Sequence, residues 1–342
     1  MTQPWTPERM AERIVRYDAL VPCTAAFIDA KTPGSHLKEN FTIIGPGVAE
    51  NPRQHVHIRE AHGFNIGGAR QPPRIVNSQH SHDTAEVFMV LKGTWNFILG
   101  PKKEDGAVTL GPGDVISIPI HVFRGFENVG SDMGFLFAIL GGDDPGRVTW
   151  SPEVLKAAEG HGLILLEDGR LVDTTVGETI PAGAKAARPL GPAEMARFHR
   201  YGAAKMGLVR RGDLAPSPAA ALPGVEQRCA LVIADDPGAP IAWPHGFSLR
   251  ALRLRAGEHS QPARFDRQVV LLVHDGQWRL DWDDGRGGKG SVTLASGDSM
   301  TVPDGVAHAL AQTAPGEGLC WMVTRGDRPI GARGVGAAAA AE

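Results

Sequence analysis

Ten residues from Glu86 to Trp95 align without a gap on ten from Val269 to Trp278, an offset of 183 positions. A second spaced pattern, Gly113-Asp114 with Pro119, recurs as Gly297-Asp298 with Pro303 at an offset of 184. Two motifs repeated in order at nearly constant separation mark duplication of a whole domain. At 342 residues the chain suits two such units, because one hydrophobic core stops growing near roughly 250–300 residues.

The texture around both copies is that of short strands. HVHIRE, GFNIGG, AEVFMVLKG, WNFILG, DVISIPI and GFLFAIL lie between Phe41 and Leu140, and RCALVIA, FSLRALRLRAG, VVLLVHDGQWRLDW and DSMTVP between Glu226 and Thr324. The 43 Gly and 26 Pro supply turns, and an apolar fraction of 42% is too high for a disordered chain. The expected class is therefore all-β. Residues 1–40 read as an N-terminal helical arm, with a helix from Pro7 to about Leu20, and 41–142 as the first β unit. Residues 143–201 read as a connector with helices from Pro152 to Gly160 and from Pro192 to about Tyr201. The second β unit takes 202–330, and 331–342 a flexible tail.

Several roles are excluded or disfavoured. A net charge of −3 gives no electrostatic footprint for nucleic acid. No basic run suggests a membrane surface, and no apolar stretch has the roughly 20 residues of a membrane span. The start MTQPWTPERM lacks a secretory signal, and Cys23, Cys229 and Cys320 are odd in number and far apart. A cytoplasmic protein with free thiols is expected. No phosphate loop and no GxSxG motif appears.

The chemistry concentrates in His80-Ser-His82-Asp-Thr-Ala-Glu86. On a strand these three alternate onto one face, and two imidazoles with a carboxylate make a metal site with open positions. The bland alternative is a pair of surface histidines beside a solvated Glu. His55, His57 and His62 read as ordinary polar or packed positions, Trp95 and Trp278 as core.

These motifs resemble those of the cupin superfamily, and their duplication resembles the bicupins. His80, His82, Glu86 and Gly93 fit the family's first motif, with Arg74 in place of its leading Gly; Gly113, Pro119 and Asn128 fit the second. His121 replaces a Gly of that motif, and Arg124 replaces its metal-binding His. In the second copy Gly257, Gly276, Gly297, Pro303, Gly305 and His308 fit, while the ligand positions hold Ala263, Phe265 and Val269.

The resemblance implies two jelly-roll β-barrels, the first carrying one divalent metal and the second degenerate. Fe(II) is favoured, with Zn, Mn or Ni as alternatives. Arg124 either forms a structural salt bridge, for instance with Glu127, or grips an anionic substrate beside the metal; His121 is a further candidate catalytic residue or ligand. The implied activity is a dioxygenase using O₂ on a small anionic aromatic hydroxy-acid, as in ring-cleaving bicupins. The alternatives are a metal-dependent isomerase, lyase or decarboxylase, and a non-catalytic binding cupin. Family analogy also implies a homo-oligomer.

Overall fold

Each of the two repeats closes into a pair of facing antiparallel sheets, and their strand orders coincide. The computed structural model describes residues 3–329 and 331–335. In the N-terminal unit, Val21–Arg211, one sheet runs Gly207–Val209, Val115–Ile118, Glu86–Lys92, Gly134–Gly141, Phe64–Gln71, Glu39–Ile44, with Val56–Ile58 parallel at the edge. The facing sheet runs Thr149–Trp150, Val76–Ser81, Arg124–Asn128, Trp95–Leu99, Ala107–Leu110.

The C-terminal unit has the same order. Ile14–Val15, Ser299–Val302, Val269–Asp275, Glu317–Arg325, Phe247–Arg255 and Cys229–Ile233 form one sheet; Ala263–Arg264, Ala307–Gln312, Gln277–Asp283 and Lys289–Ala295 lie in the other. Register repeats as well. Glu86 sits opposite Ile118 and Leu140, and Val269 opposite Val302 and Thr324.

The arm and the connector differ from the boundaries expected from sequence. The first helix is only Pro7–Ala11, and Ile14–Val15 continues as a strand on Ser299–Met300, so residues up to Leu20 belong to the C-terminal unit. β-branched Ile14 and Val15 suit an extended edge better than a third helical turn. Likewise Gly207–Val209 pairs with Val115–Ser117 and belongs to the N-terminal unit. The helix at Pro192 stops at Met195, since His199 turns away to donate its amide N–H to the His121 carbonyl at 2.8 Å.

Both added strands are fastened alike. Asp114 accepts from Arg210 Nη1 at 2.7 Å and from the Arg211 amide at 3.0 Å; Asp298 accepts from Arg16 Nη1 at 2.6 Å and from the Tyr17 amide at 3.0 Å. At the other end Arg333–Gly334 pairs with Ala263–Arg264, so the expected tail is a strand at its start; residues 336–342 lie outside the described residues.

Alternate residues of the strands fill the barrels. In the N-terminal unit Phe88, Trp95, Phe97 and Phe126 are buried, with ring centroids 5.0–5.8 Å apart. Burial of such a side chain contributes roughly 1.5–3 kcal/mol. Trp95 and Trp278 hold equivalent places, each donating its indole N–H at 2.8 Å to a carbonyl three residues back, Lys92 or Asp275. Gly93, between Lys92 and Trp95, has φ +89°, and a Cβ there would stand 2.9 Å from Gly134 Cα, so the turn demands glycine.

Candidate metal centre

His80 lies near the end of strand Val76–Ser81, and His82 follows just past it; the chain then turns through Asp83-Thr84 and enters the opposite sheet at Glu86. The three side chains therefore meet across the barrel interior. This corrects the expectation of a single strand face: the turn carries Glu86 to the facing sheet, from which it points back. His80 Nε2 is 3.9 Å from Glu86 Oε2 and His82 Nε2 3.8 Å from Oε1, and the three donors lie within 4.8 Å of one another. Ligands at about 2.1 Å from one ion can be up to about 4.2 Å apart, so the 3.8 Å between His82 Nε2 and Glu86 Oε1 fits. It is the sole cluster of three such donors among the described residues.

The surroundings keep these groups in ligand form. His80 Nδ1 donates to the Ser78 carbonyl at 2.7 Å, which leaves the Nε2 lone pair facing the site. Burial, and then the positive charge of Arg124, holds both imidazoles well below the usual histidine range, so they stay neutral. Burial raises the Glu86 carboxyl, and Arg124 opposes that rise.

Arg124 stands across the strand pair from His80 and is 0% exposed. Its Nε and Nη2 both donate to Glu86 Oε2, at 3.1 and 2.6 Å, and its Nη1 to the Val122 carbonyl at 3.2 Å. All three of its nitrogens are thus engaged, the guanidinium is not among the groups that line the cavity, and the carboxylate it pairs with is Glu86 rather than Glu127. Glu86 Oε1 takes no hydrogen bond from Arg124. The His121 backbone is left-handed, φ +57°, and its partly exposed Nε2 lies 3.2 Å from Asp83 Oδ1; its side chain is not among the groups that line the cavity. Neither His55 nor His57 lines the cavity.

Sequence reasoning missed the supports behind the histidines. Buried Lys38 pairs with buried Asp29 and donates to Asn77 Oδ1 at 2.9 Å; Asn77 Nδ2 is 3.3 Å from His80 Nδ1, and Asp29 accepts from the Ser78 amide at 3.0 Å. Trp150 packs on the His80 ring at 5.5 Å, and its indole N–H donates at 2.5 Å to Glu50, whose carboxyl burial pushes up to about 8. Asn77 and Trp150 stand in strands and Asp29 in a single 3-10 turn, while Lys38 and Glu50 occupy irregular segments where no periodicity flags a buried residue.

The cavity between the sheets opens about 70 Å³ to water-sized molecules. Phe41, Phe88, Phe126 and Trp150 line it together with a polar wall of Asn40, Thr42, Gln54 and Asn65. Asn40 Oδ1 and Gln54 Oε1 are buried there without hydrogen-bond partners.

The equivalent space in the C-terminal unit is filled. Gly67 and Ala138, paired across strands, line the cavity; the corresponding pair is Arg250 and Met322, both buried. Phe265 takes the place of His82, with the Arg250 guanidinium carbon 5.6 Å from its ring centre. His308 takes the place of Arg124: its Nδ1 lies 3.1 Å from the Val306 carbonyl, as Arg124 reaches that of Val122, and it stacks on Phe265.

Residues 67–139 match the family model described as cupin domain. Vicilin from Corylus avellana (hazelnut) superposes with a TM-score of 0.55 at 13% identity, covering 94% of this chain and 87% of that one. This is a bicupin fold. The formate complex of Lactobacillus farciminis oxalate decarboxylase gives 0.57 at 11% identity, covering 94% and 88%. Bacillus subtilis oxalate decarboxylase, studied for its Mn(II) centres, gives 0.55 at 11%, covering 96% and 85%. At such identities the likeness to these structures is one of fold. No curated protein matches the chain.

Proposed function

We propose that the N-terminal barrel is a mononuclear metal-dependent enzyme that oxidises a small chelating acid with O₂, with Fe(II) as the metal its donor set suits best. One observation carries this reading: among the described residues, His80, His82 and Glu86 are the sole ionisable side chains lining the cavity. Isomerisation or elimination by a side-chain base needs a second ionisable group within reach of the substrate, and amides, one hydroxyl, glycines, aliphatic side chains and aromatic rings occupy the rest of the wall.

A bound metal supplies Lewis acidity and, as Fe(II) on two His and one carboxylate, electrons for O₂. The residues around it do the positioning. Glu86 offers Oε1 while Arg124 fixes Oε2, the Ser78 carbonyl orients His80, and Phe88, Phe126 and Trp150 exclude water. Asn40 and Gln54 hold unspent hydrogen-bonding capacity for the distal end of a ligand.

Size narrows the substrate. About 70 Å³ is half of the roughly 150 Å³ that admits benzene. It suits an acid of a few carbons better than an aromatic hydroxy-acid. A metal-dependent decarboxylase of the same small acid is the second reading, favoured by that volume.

The experiment is anaerobic loading with Fe(II) or Mn(II), followed by simultaneous O₂ and CO₂ detection with glycolate, glyoxylate, oxalate, pyruvate and salicylate. O₂ uptake with a small acid is expected. Release of CO₂ without net O₂ uptake would transfer the site to the decarboxylase reading. Inertness to every acid would leave a ligand-binding cupin.

A further inference from the structure

We propose that Arg124 makes tight metal binding conditional on an anionic co-ligand, so that the metal and a small chelating acid bind cooperatively; this rests on the metal reading of His80, His82 and Glu86. Charge sets the coupling. The two imidazoles contribute none, and the carboxylate of Glu86 is matched by a guanidinium 2.6 Å away. Protein charge at the centre is therefore near zero, and a divalent ion would bring its full charge into a buried space.

Neighbouring groups offer no relief. Lys38 and Asp29 cancel as a buried pair. Glu50 is spent on the Trp150 indole and the Ile28 amide, and does not line the cavity. Nor can Arg124 withdraw its charge, since it is 0% exposed and bonded through Nε, Nη1 and Nη2. An uncompensated buried charge is costly. A chelating dianion that reached the open coordination positions would cancel it, whereas a neutral chelator of the same shape would not. By linkage, the factor by which the acid tightens the metal is also the factor by which the metal tightens the acid.

The test is equilibrium dialysis of the full chain against Mn(II), read by electron paramagnetic resonance, with free Mn(II) held equal in every arm. Oxalate should lower the Mn(II) Kd by about tenfold or more, and neutral oxamide should leave it unchanged. Arg124→His removes the buried charge and adds a donor; it should bind Mn(II) without oxalate at least about tenfold tighter than the parent and lose most of the oxalate effect. A parent protein that binds Mn(II) equally with and without oxalate would overturn the coupling. Failure to bind Mn(II), Fe(II) or Zn(II) even with oxalate would instead overturn the metal reading beneath it.

Discussion

Replacing Arg124 with Ala leaves Glu86 as an unpaired carboxylate in the barrel. The Nη2–Oε2 contact is 2.6 Å and both side chains are buried, so solvent cannot take over the lost partner. Two unit charges about 4 Å apart interact by about 4 kcal/mol at an effective dielectric of 20, and removing one partner of a buried pair costs about 3–5 kcal/mol. For a unit of this size that lowers Tm by about 6–20 °C.

The loss depends on pH in a defined direction. Without Arg124, burial alone acts on Glu86 and lifts its folded-state pKa above the ordinary 4.5. A raised carboxyl destabilises above its unfolded pKa, so the deficit is small below about pH 4.5 and grows as pH rises. Melting of Arg124→Ala and of the Arg124→Ala, Glu86→Ala double variant, in EDTA at about pH 4.5 and pH 8, checks both points. The double variant should regain more than half of the loss at pH 8, because no charge remains buried. A Tm drop below about 2 °C at pH 8, or a double variant as unstable as the single, would refute the reasoning.

Other expectations follow from the same packing. Ala138→Met copies the C-terminal arrangement and puts three more heavy atoms into the cavity; binding of small acids should weaken by about tenfold or more, by calorimetry, while metal stoichiometry is kept. Asn77→Ala removes the amide that Lys38 holds against the His80 ring and should raise the metal Kd by about tenfold or more, measured by dialysis. Asp298→Ala releases the strand Ile14–Val15 and should lower the melting temperature of the C-terminal unit by about 2–8 °C without changing metal content. A loss of metal in that variant would contradict the assignment of the arm.

The repeat made the two barrels legible, because motif glycines and core Trp residues recur at fixed spacing. The exchanged strands were less so, although Ile14-Val-Arg-Tyr17 echoes Leu208-Val-Arg-Arg211 and Pro7-Glu-Arg-Met-Ala11 echoes Pro192-Ala-Glu-Met-Ala196. Those echoes fall at offsets of 194 and 185, and their order is the reverse of the barrels', since the earlier segment belongs to the C-terminal unit and the later one to the N-terminal unit. His80, His82 and Glu86 were visible as a motif, but strand alternation could not show the crossing between sheets at Asp83-Thr84. Arg124 was visible as a departure; its direction was not, since the same residue can face a ligand or a neighbouring carboxylate. Lys38, Asn77 and Glu50 act through contacts distant in sequence, which no local pattern encodes.

One metal ion held by His80, His82 and Glu86 underlies both the proposed activity and the coupling to Arg124. Elemental analysis of the chain after dialysis with Mn(II) and oxalate, beside His82→Ala treated identically, tests this most directly. One ion per chain is predicted for the parent, and about a tenth of that or less for the variant. Equal metal in both proteins would contradict the assignment.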